Sequence, residues 1–155
     1  MLIAVDTNVL FDLASEVETV VEAIATIRRR IKAARLIVPP TALDEVAVNA
    51  TSGETAKKRE VAQAVFARLR AEWKFEPVNL VPVDHGIVGR IADALRRQDL
   101  LPVAEAALLD CRVLLTSDEH LRGIDFQSLA LLLQGFDVTA PIIATPREIV
   151  RKFCR

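Results

Sequence analysis

The 155-residue chain carries 20 Lys and Arg against 21 Asp and Glu, a formal net charge of −1, and 52% of its residues are apolar. That size and apolar fraction suit one domain, 1–155, burying roughly two-thirds of its unfolded surface; five glycines and seven prolines exclude fibrous and disordered classes. The balanced charge excludes a generally basic nucleic-acid-binding chain, so any contact with a polyanion has to come from a local patch.

The chain opens on Leu2–Val5, a short continuous aliphatic run that reads as a buried strand and runs into Asp6. It lacks a basic leader and is too short for a signal peptide or a membrane span, so a cytoplasmic protein with no membrane partner is expected. Val17–Ala34 places Val17, Val20, Val21, Ile24, Ile27 and Ile31 close to the helical period. Leu36–Val38 reads as a second strand; Pro39-Pro40 then leads into a helix over Thr41–Asn49 that carries Asp44 and Glu45. After the loop Thr51-Ser52-Gly53, Glu54–Phe75 reads as a long charged helix with Val61, Val65, Phe66, Leu69 and Trp73 as its stripe. Leu80–Val83 is a less marked strand, followed by helices over Ile87–Arg97 and Val103–Leu109. Val113–Thr116 is a strand that continues through Ser117 into Asp118. Leu129–Leu133 should pack on the core as a helix, and Pro141–Ala144 is the last strand. Thr145-Pro146-Arg147-Glu148 has the form of an N-cap, a first-turn proline and an acid, opening a helix to about Phe153.

Alternating strands and helices imply an α/β fold: a parallel sheet of about five strands flanked by helices, in three layers α/β/α. In such a sheet, ligands bind beyond the carboxyl ends of the strands. Asp6 and Asp118 both follow strands there. Either one alone could simply cap the next turn; two on one edge, with Glu45 and Asp99 close in the predicted layout, argue for a site. Clustered carboxylates repel, and a divalent cation makes them tolerable. Mg²⁺ prefers oxygen ligands and suits phosphoryl chemistry, because it polarises a phosphate oxygen and lowers the pKa of a water.

Other features point elsewhere or nowhere. Cys111 and Cys154 read as reduced thiols, and no C-x-x-C pair supports zinc. No P-loop is present, and Asn8 stands where a phosphotransferase with aspartates two apart would need its second acid, which weighs against a small-molecule phosphohydrolase. His120 reads as a surface or capping histidine and Trp73 as core. Two basic runs, Arg28-Arg29-Arg30 with Lys32 and Arg35, and Lys57-Lys58-Arg59, are either solvated faces or phosphate contacts; the first is the expected RNA-binding patch.

Taken together, Asp6-Thr7-Asn8-Val9-Leu10, the run Ile37-Val38-Pro39-Pro40-Thr41 followed by Glu45, Asp99 six residues before Glu105, and Leu115-Thr116-Ser117-Asp118 resemble in order and spacing the PIN-domain ribonuclease family, in its VapC-like toxin type. The resemblance implies a five-stranded parallel sheet and a Mg²⁺- (or Mn²⁺-) dependent endoribonuclease that leaves a 5′-phosphate and a 3′-hydroxyl. It also implies an RNA substrate, an antitoxin partner and a homodimer. Carried over, Asp6, Glu45, Asp99 and Asp118 would be metal ligands and catalytic, with Asn8 and Ser117 as polar helpers. Leu100-Leu101-Pro102 after Asp99 departs from the family pattern, which leaves Glu105 as a competitor for the third acid. The alternative is a non-catalytic PIN-like module that binds RNA or protein.

Overall fold

The computed structural model describes residues 1–154. Strands β1 (Leu2–Val5), β2 (Arg35–Val38), β3 (Glu76–Pro77), β4 (Val113–Leu115) and β5 (Ile142–Ala144) form one sheet in the order β3-β2-β1-β4-β5. All four pairings are parallel, so the expected α/β fold is the observed one. The short aliphatic runs make these strands because both faces of the sheet are covered. Ile3, Val5, Leu36, Val38, Val113 and Leu115 point into one core, and Ala4, Ile37 and Leu114 into the other.

The first face is covered by helices α1 (Thr7–Ala14), α2 (Glu18–Arg30), α3 (Pro40–Ser52), α4 (Ala56–Leu69) and α9 (Pro146–Phe153), through Leu10, Ile24, Ile27, Val46, Val65 and Ile149. The second is covered by α5 (Pro82–Leu95), α6 (Leu101–Leu108), α7 (Glu119–Arg122) and α8 (Phe126–Gln134), through Val88, Ile91, Val103, Leu121, Leu129 and Leu133. A 3₁₀ turn, Gln98–Leu100, links α5 to α6. Among the described residues no helix is long and apolar enough to cross a membrane.

Strand boundaries follow the sequence reading within one residue, with one exception. The run Leu80–Val83 is not a strand. Val81 and Val83 are exposed, and Pro82 opens α5. Proline has no N–H for a ladder but suits the first position of a helix. The edge strand is instead Glu76–Pro77, where an edge tolerates proline. Its neighbour Val78 donates its N–H to Val38 O at 3.1 Å. The long helix expected over Glu54–Phe75 stops at Leu69; the chain then turns, with Lys74 at φ 56°, to bring Phe75 into the core.

From β1 the chain builds outward to β2 and β3, then returns to add β4 and β5 on the other side. The switch of direction falls between β1 and β4, which is where a crevice opens at the carboxyl ends of an α/β sheet. At the far side of the sheet, α9 begins with a capping box: Glu148 N donates to Thr145 Oγ1 at 3.2 Å, and Thr145 N donates to Glu148 Oε2 at 2.8 Å. Thr145→Ala should lower the unfolding free energy by about 1 kcal/mol, the usual cost of losing such a cap. Urea denaturation followed by circular dichroism measures it, and an unchanged midpoint would show that the box contributes nothing.

Candidate active site

β1 and β4 pair with Val5 opposite Leu115, so the next residues along the two strands are Asp6 and Thr116. The Asp6 N–H donates to Leu115 O at 2.9 Å, which carries the ladder to the sheet edge. Asp6 then caps α1, with Thr7 N donating to Asp6 Oδ1 at 2.8 Å. The other oxygen accepts from the Thr116 hydroxyl at 2.8 Å and from Asn8 Nδ2 at 3.3 Å. Asn8 Nδ2 also donates to Thr116 Oγ1 at 3.1 Å, while its Oδ1 accepts from Ser117 N at 3.0 Å. Asp118 N donates to Thr116 Oγ1 at 3.1 Å, and Asp118 caps α7 by accepting from His120 N at 2.8 Å.

This network ties two strand ends together around one buried carboxylate. Burial pushes the Asp6 carboxyl above its ordinary value. The donors Thr116, Thr7 and Asn8 pull it back, the nearby Asp118 charge pushes it up again, and the net result stays raised.

Asp6, Asn8, Glu45, Asp99 and Asp118 line one cavity of about 400 Å³, walled by Phe11, Leu101, Pro102 and Leu121. Ser117 is exposed, and it is the buried Thr116 that lends a hydroxyl to Asp6; Ser117 supplies its backbone N–H. In sequence, Thr116 is hidden because it reads as the end of a strand. The register with Asp6 is the signal, and a sequence does not print register.

Asp99 lies in the 3₁₀ turn, where Arg97 grips it with Nε at 3.1 Å and Nη2 at 2.6 Å. That guanidinium holds the Asp99 carboxyl below its usual range. Glu45 stands exposed on α3. Glu105, the competing third acid, is not part of the cavity wall. It is buried on α6 with both oxygens accepting from Thr41 N, at 3.1 and 3.2 Å. Burial pushes its carboxyl up, and the Thr41 hydrogen bonds oppose this.

The cavity's donors are hard oxygens, the set that Mg²⁺ or Mn²⁺ prefers. The buried Asp6 beside Asp118 is the charge a cation would offset; Arg97 pairs with Asp99 and acts on Asp118 only through its charge. Among the described residues no three of the acids, with histidines and cysteines included, converge closely enough to hold one ion together. Mg²⁺ needs no such cage, because it commonly takes one or two carboxylates and keeps several waters.

The basic run singled out by the sequence lies elsewhere. Arg35 opens β2 at the amino edge of the sheet, opposite the cavity, and pairs with Glu76 at 3.0 and 2.8 Å. Arg28, at the end of α2 leading to that edge, donates to the carbonyls of Trp73 and Lys74 and sits 5.2 Å over the Phe75 ring. These side chains brace the loop before β3. Lys57 and Lys58 stand at the start of α4, Lys58 paired with Glu54 at 3.1 Å. They flank a cavity of about 570 Å³ between α1, α3 and α4 that shares Phe11 with the acidic one.

A family model described as PIN domain matches residues 3–127. Among solved structures, the chain is similar to a chain of VapBC2 from Rickettsia felis bound to a DNA fragment from their promoter. The identity is 14%, the TM-score 0.62, and the match covers 80% of this chain and 93% of that one. At that identity the likeness is one of fold. No curated protein matches the chain.

Thr116→Val removes a hydroxyl donor from the Asp6 carboxyl and strands Asp118 N–H. In EDTA at pH 7 it should lower stability by about 1–3 kcal/mol. The pH dependence has a definite sign. Asp6 already has a folded pKa above its unfolded one, so its ionised form opposes folding above that range. The variant raises the folded pKa further, so its deficit should grow as pH rises through the raised range and shrink as pH falls towards 4, near the unfolded carboxylate value. Thermal melts of both proteins across pH measure this; a deficit that widens on acidification would refute the role given to Thr116.

Proposed function

The chain belongs to the PIN domain family, and from that premise we propose that it is a Mg²⁺- or Mn²⁺-dependent endoribonuclease, the toxin of a toxin–antitoxin pair. The observation that carries this reading is the buried Asp6 carboxylate, raised by burial and by Asp118, at the switch point of a parallel sheet. A site that keeps two acids so disposed, with neutral donors orienting one of them, suits a cation and phosphoryl chemistry.

Asp6 and Asp118 would hold the ion, with Glu45 and Asp99 on the cavity wall as further ligands, directly or through water. When bound, the ion supplies Lewis-acid polarisation of a phosphate oxygen and a water of lowered pKa. The chain's own residues do the rest. Asn8 and Thr116 fix the Asp6 carboxylate so that it need not reorient. Phe11, Leu101, Pro102 and Leu121 give the cavity its apolar wall. Lys57 and Lys58, beyond Phe11, meet the phosphates of the strand that leaves the cavity. The antitoxin partner and homodimer are part of the same reading; the fold shared with the VapBC2 chain and the exposed apolar side chains Val81, Val83, Phe126 and Leu131 support a protein partner. So are a single domain over 1–155 and a cytoplasmic location.

The second reading, a non-catalytic PIN-like module that binds RNA or protein, draws on one observation: Arg97 already neutralises Asp99. Asp118→Asn separates the two. Altering a group that merely supports a metal ligand commonly costs 10–100-fold, so loss of a ligand should lower Mn²⁺-dependent cleavage of an RNA pool by on the order of 100-fold or more. The far-ultraviolet spectrum should be unchanged. Cleavage at wild-type rate by the variant would remove Asp118 from the metal site, and a wild-type protein that cleaves nothing with Mn²⁺ would favour the non-catalytic module.

The path of the strand is tested separately by binding a fluorescent single-stranded RNA at several salt concentrations. The double change Lys57→Glu with Lys58→Glu should weaken binding and flatten the slope of log affinity against log salt by roughly 1.4, about 0.7 for each phosphate no longer neutralised. Changing Arg28, Arg29 and Arg30 to Glu should leave both quantities alone. The opposite pattern would move the RNA to the amino edge of the sheet.

A further inference from the structure

Glu105 is a buried acid that the reading above leaves without a task. It is 3% exposed, sits on α6, and directs both carboxylate oxygens to Thr41, whose backbone N–H donates to them and whose side chain also stabilises the charge. Thr41 is the second residue of α3, the helix that carries Glu45.

The start of α3 lacks a cap of its own. Its N-cap is Pro39, which has no side-chain acceptor, and its first residue is Pro40, which has no N–H. Elsewhere in the chain Asp6, Thr55, Asp118, Asp125 and Thr145 each cap the helix they precede. Pro40 leaves the Thr41 amide as the first orphan donor of α3, and the partner it finds is 64 residues away. A carboxylate at the positive end of a helix is favoured by the helix dipole as well as by the hydrogen bond. Thr41 and Glu45, one turn apart, both line the acidic cavity.

We propose that Glu105 is a positioning residue: it caps α3 from the neighbouring helix and so sets where Glu45 stands at the cavity. The inference rests on the reading of Glu45 as an acid that faces the metal. It gives Glu105 no contact with the ion. Both of its oxygens are spent on Thr41, and it is outside the cavity wall.

The test measures Mn²⁺ affinity by calorimetry on the full chain, together with the exchange rate of the Thr41 amide by nuclear magnetic resonance. Glu45→Gln checks the underlying reading and should weaken Mn²⁺ about ten-fold or more. Glu105→Ala leaves Thr41 N–H unpaired and should weaken Mn²⁺ by about ten-fold, the scale of outer-shell effects. Glu105→Gln keeps an oxygen acceptor of the same reach and should restore affinity to near the wild-type value. The pair Glu45→Gln with Glu105→Ala should bind no more weakly than Glu45→Gln alone, because both act through one side chain. In the wild type, the Thr41 amide should exchange slowly for a first-turn position.

Wild-type affinity in Glu105→Ala, with affinity lost in Glu45→Gln, would overturn the positioning role while leaving the reading of Glu45 intact. Wild-type affinity in Glu45→Gln would overturn that reading instead, and slow Thr41 exchange would still uphold the cap. Equal losses in Glu105→Gln and Glu105→Ala would overturn capping in favour of a direct effect of charge on the ion. Should Glu105→Ala fail to fold, fast exchange of the Thr41 amide in the folded wild type overturns the cap without any variant.

Discussion

The structure depends on the parallel pairing of β1 with β4. These strands lie more than a hundred residues apart in sequence, yet Val5 sits opposite Leu115. The hydrogen-bond network around Asp6 follows from that one register. It aligns Asp6 with Thr116, places Asp118 just beyond, and lets Asn8 bridge to Ser117. A slip of one residue in a parallel pair would send each side chain of β4 to the opposite core. The alternation of Val113, Leu114 and Leu115 between two apolar layers therefore guards the site as well as the fold.

A buried carboxylate beside a second one opposes folding unless something compensates. Here the compensation inside the chain is partial and neutral. Three donors orient Asp6, but among the described residues no side-chain cation pairs with it, and Arg97 on the cavity side pairs with Asp99. The Arg97–Asp99 pair is partly solvated and is worth little as a stabiliser. Arg97 also feels the Asp118 charge, so it is the buried Asp6 that keeps the electrostatic condition a divalent cation would relieve. The same reasoning accounts for the spread of basic residues. Arg28 and Arg35 are used at the amino edge to hold the loop before β3, on the side of the sheet away from the acidic cavity.

Helix α3 shows how a turn that looks poor locally is completed by its surroundings. Two prolines in succession end β2 and start α3 with the right backbone angle but without a side-chain cap. The Thr41 amide is then satisfied from α6, so two walls of the cavity are fastened to each other by one carboxylate. An acid six residues beyond Asp99 in the chain is thus bonded to the opposite wall.

What the sequence determined by itself was whatever depends on neighbours within a turn or along a single strand. Short unbroken aliphatic runs marked four of the five strands, and aspartates just beyond the ends of two of them marked Asp6 and Asp118. Thr145 and Glu148 announced their own capping box. Tertiary structure decided the rest, because those interactions join segments far apart. The partner of Asp6 proved to be Thr116, 110 residues away, and the local motif gave no reason to prefer it over Ser117. Glu105 met Thr41, and Arg97 took Asp99. The edge strand moved from Leu80–Val83 to Glu76–Pro77, since Pro82 serves a helix start better than a ladder. Periodicity and capping are written in adjacent residues; strand register, and with it the choice of which polar group meets a buried charge, exists only once both apolar layers have packed against the sheet.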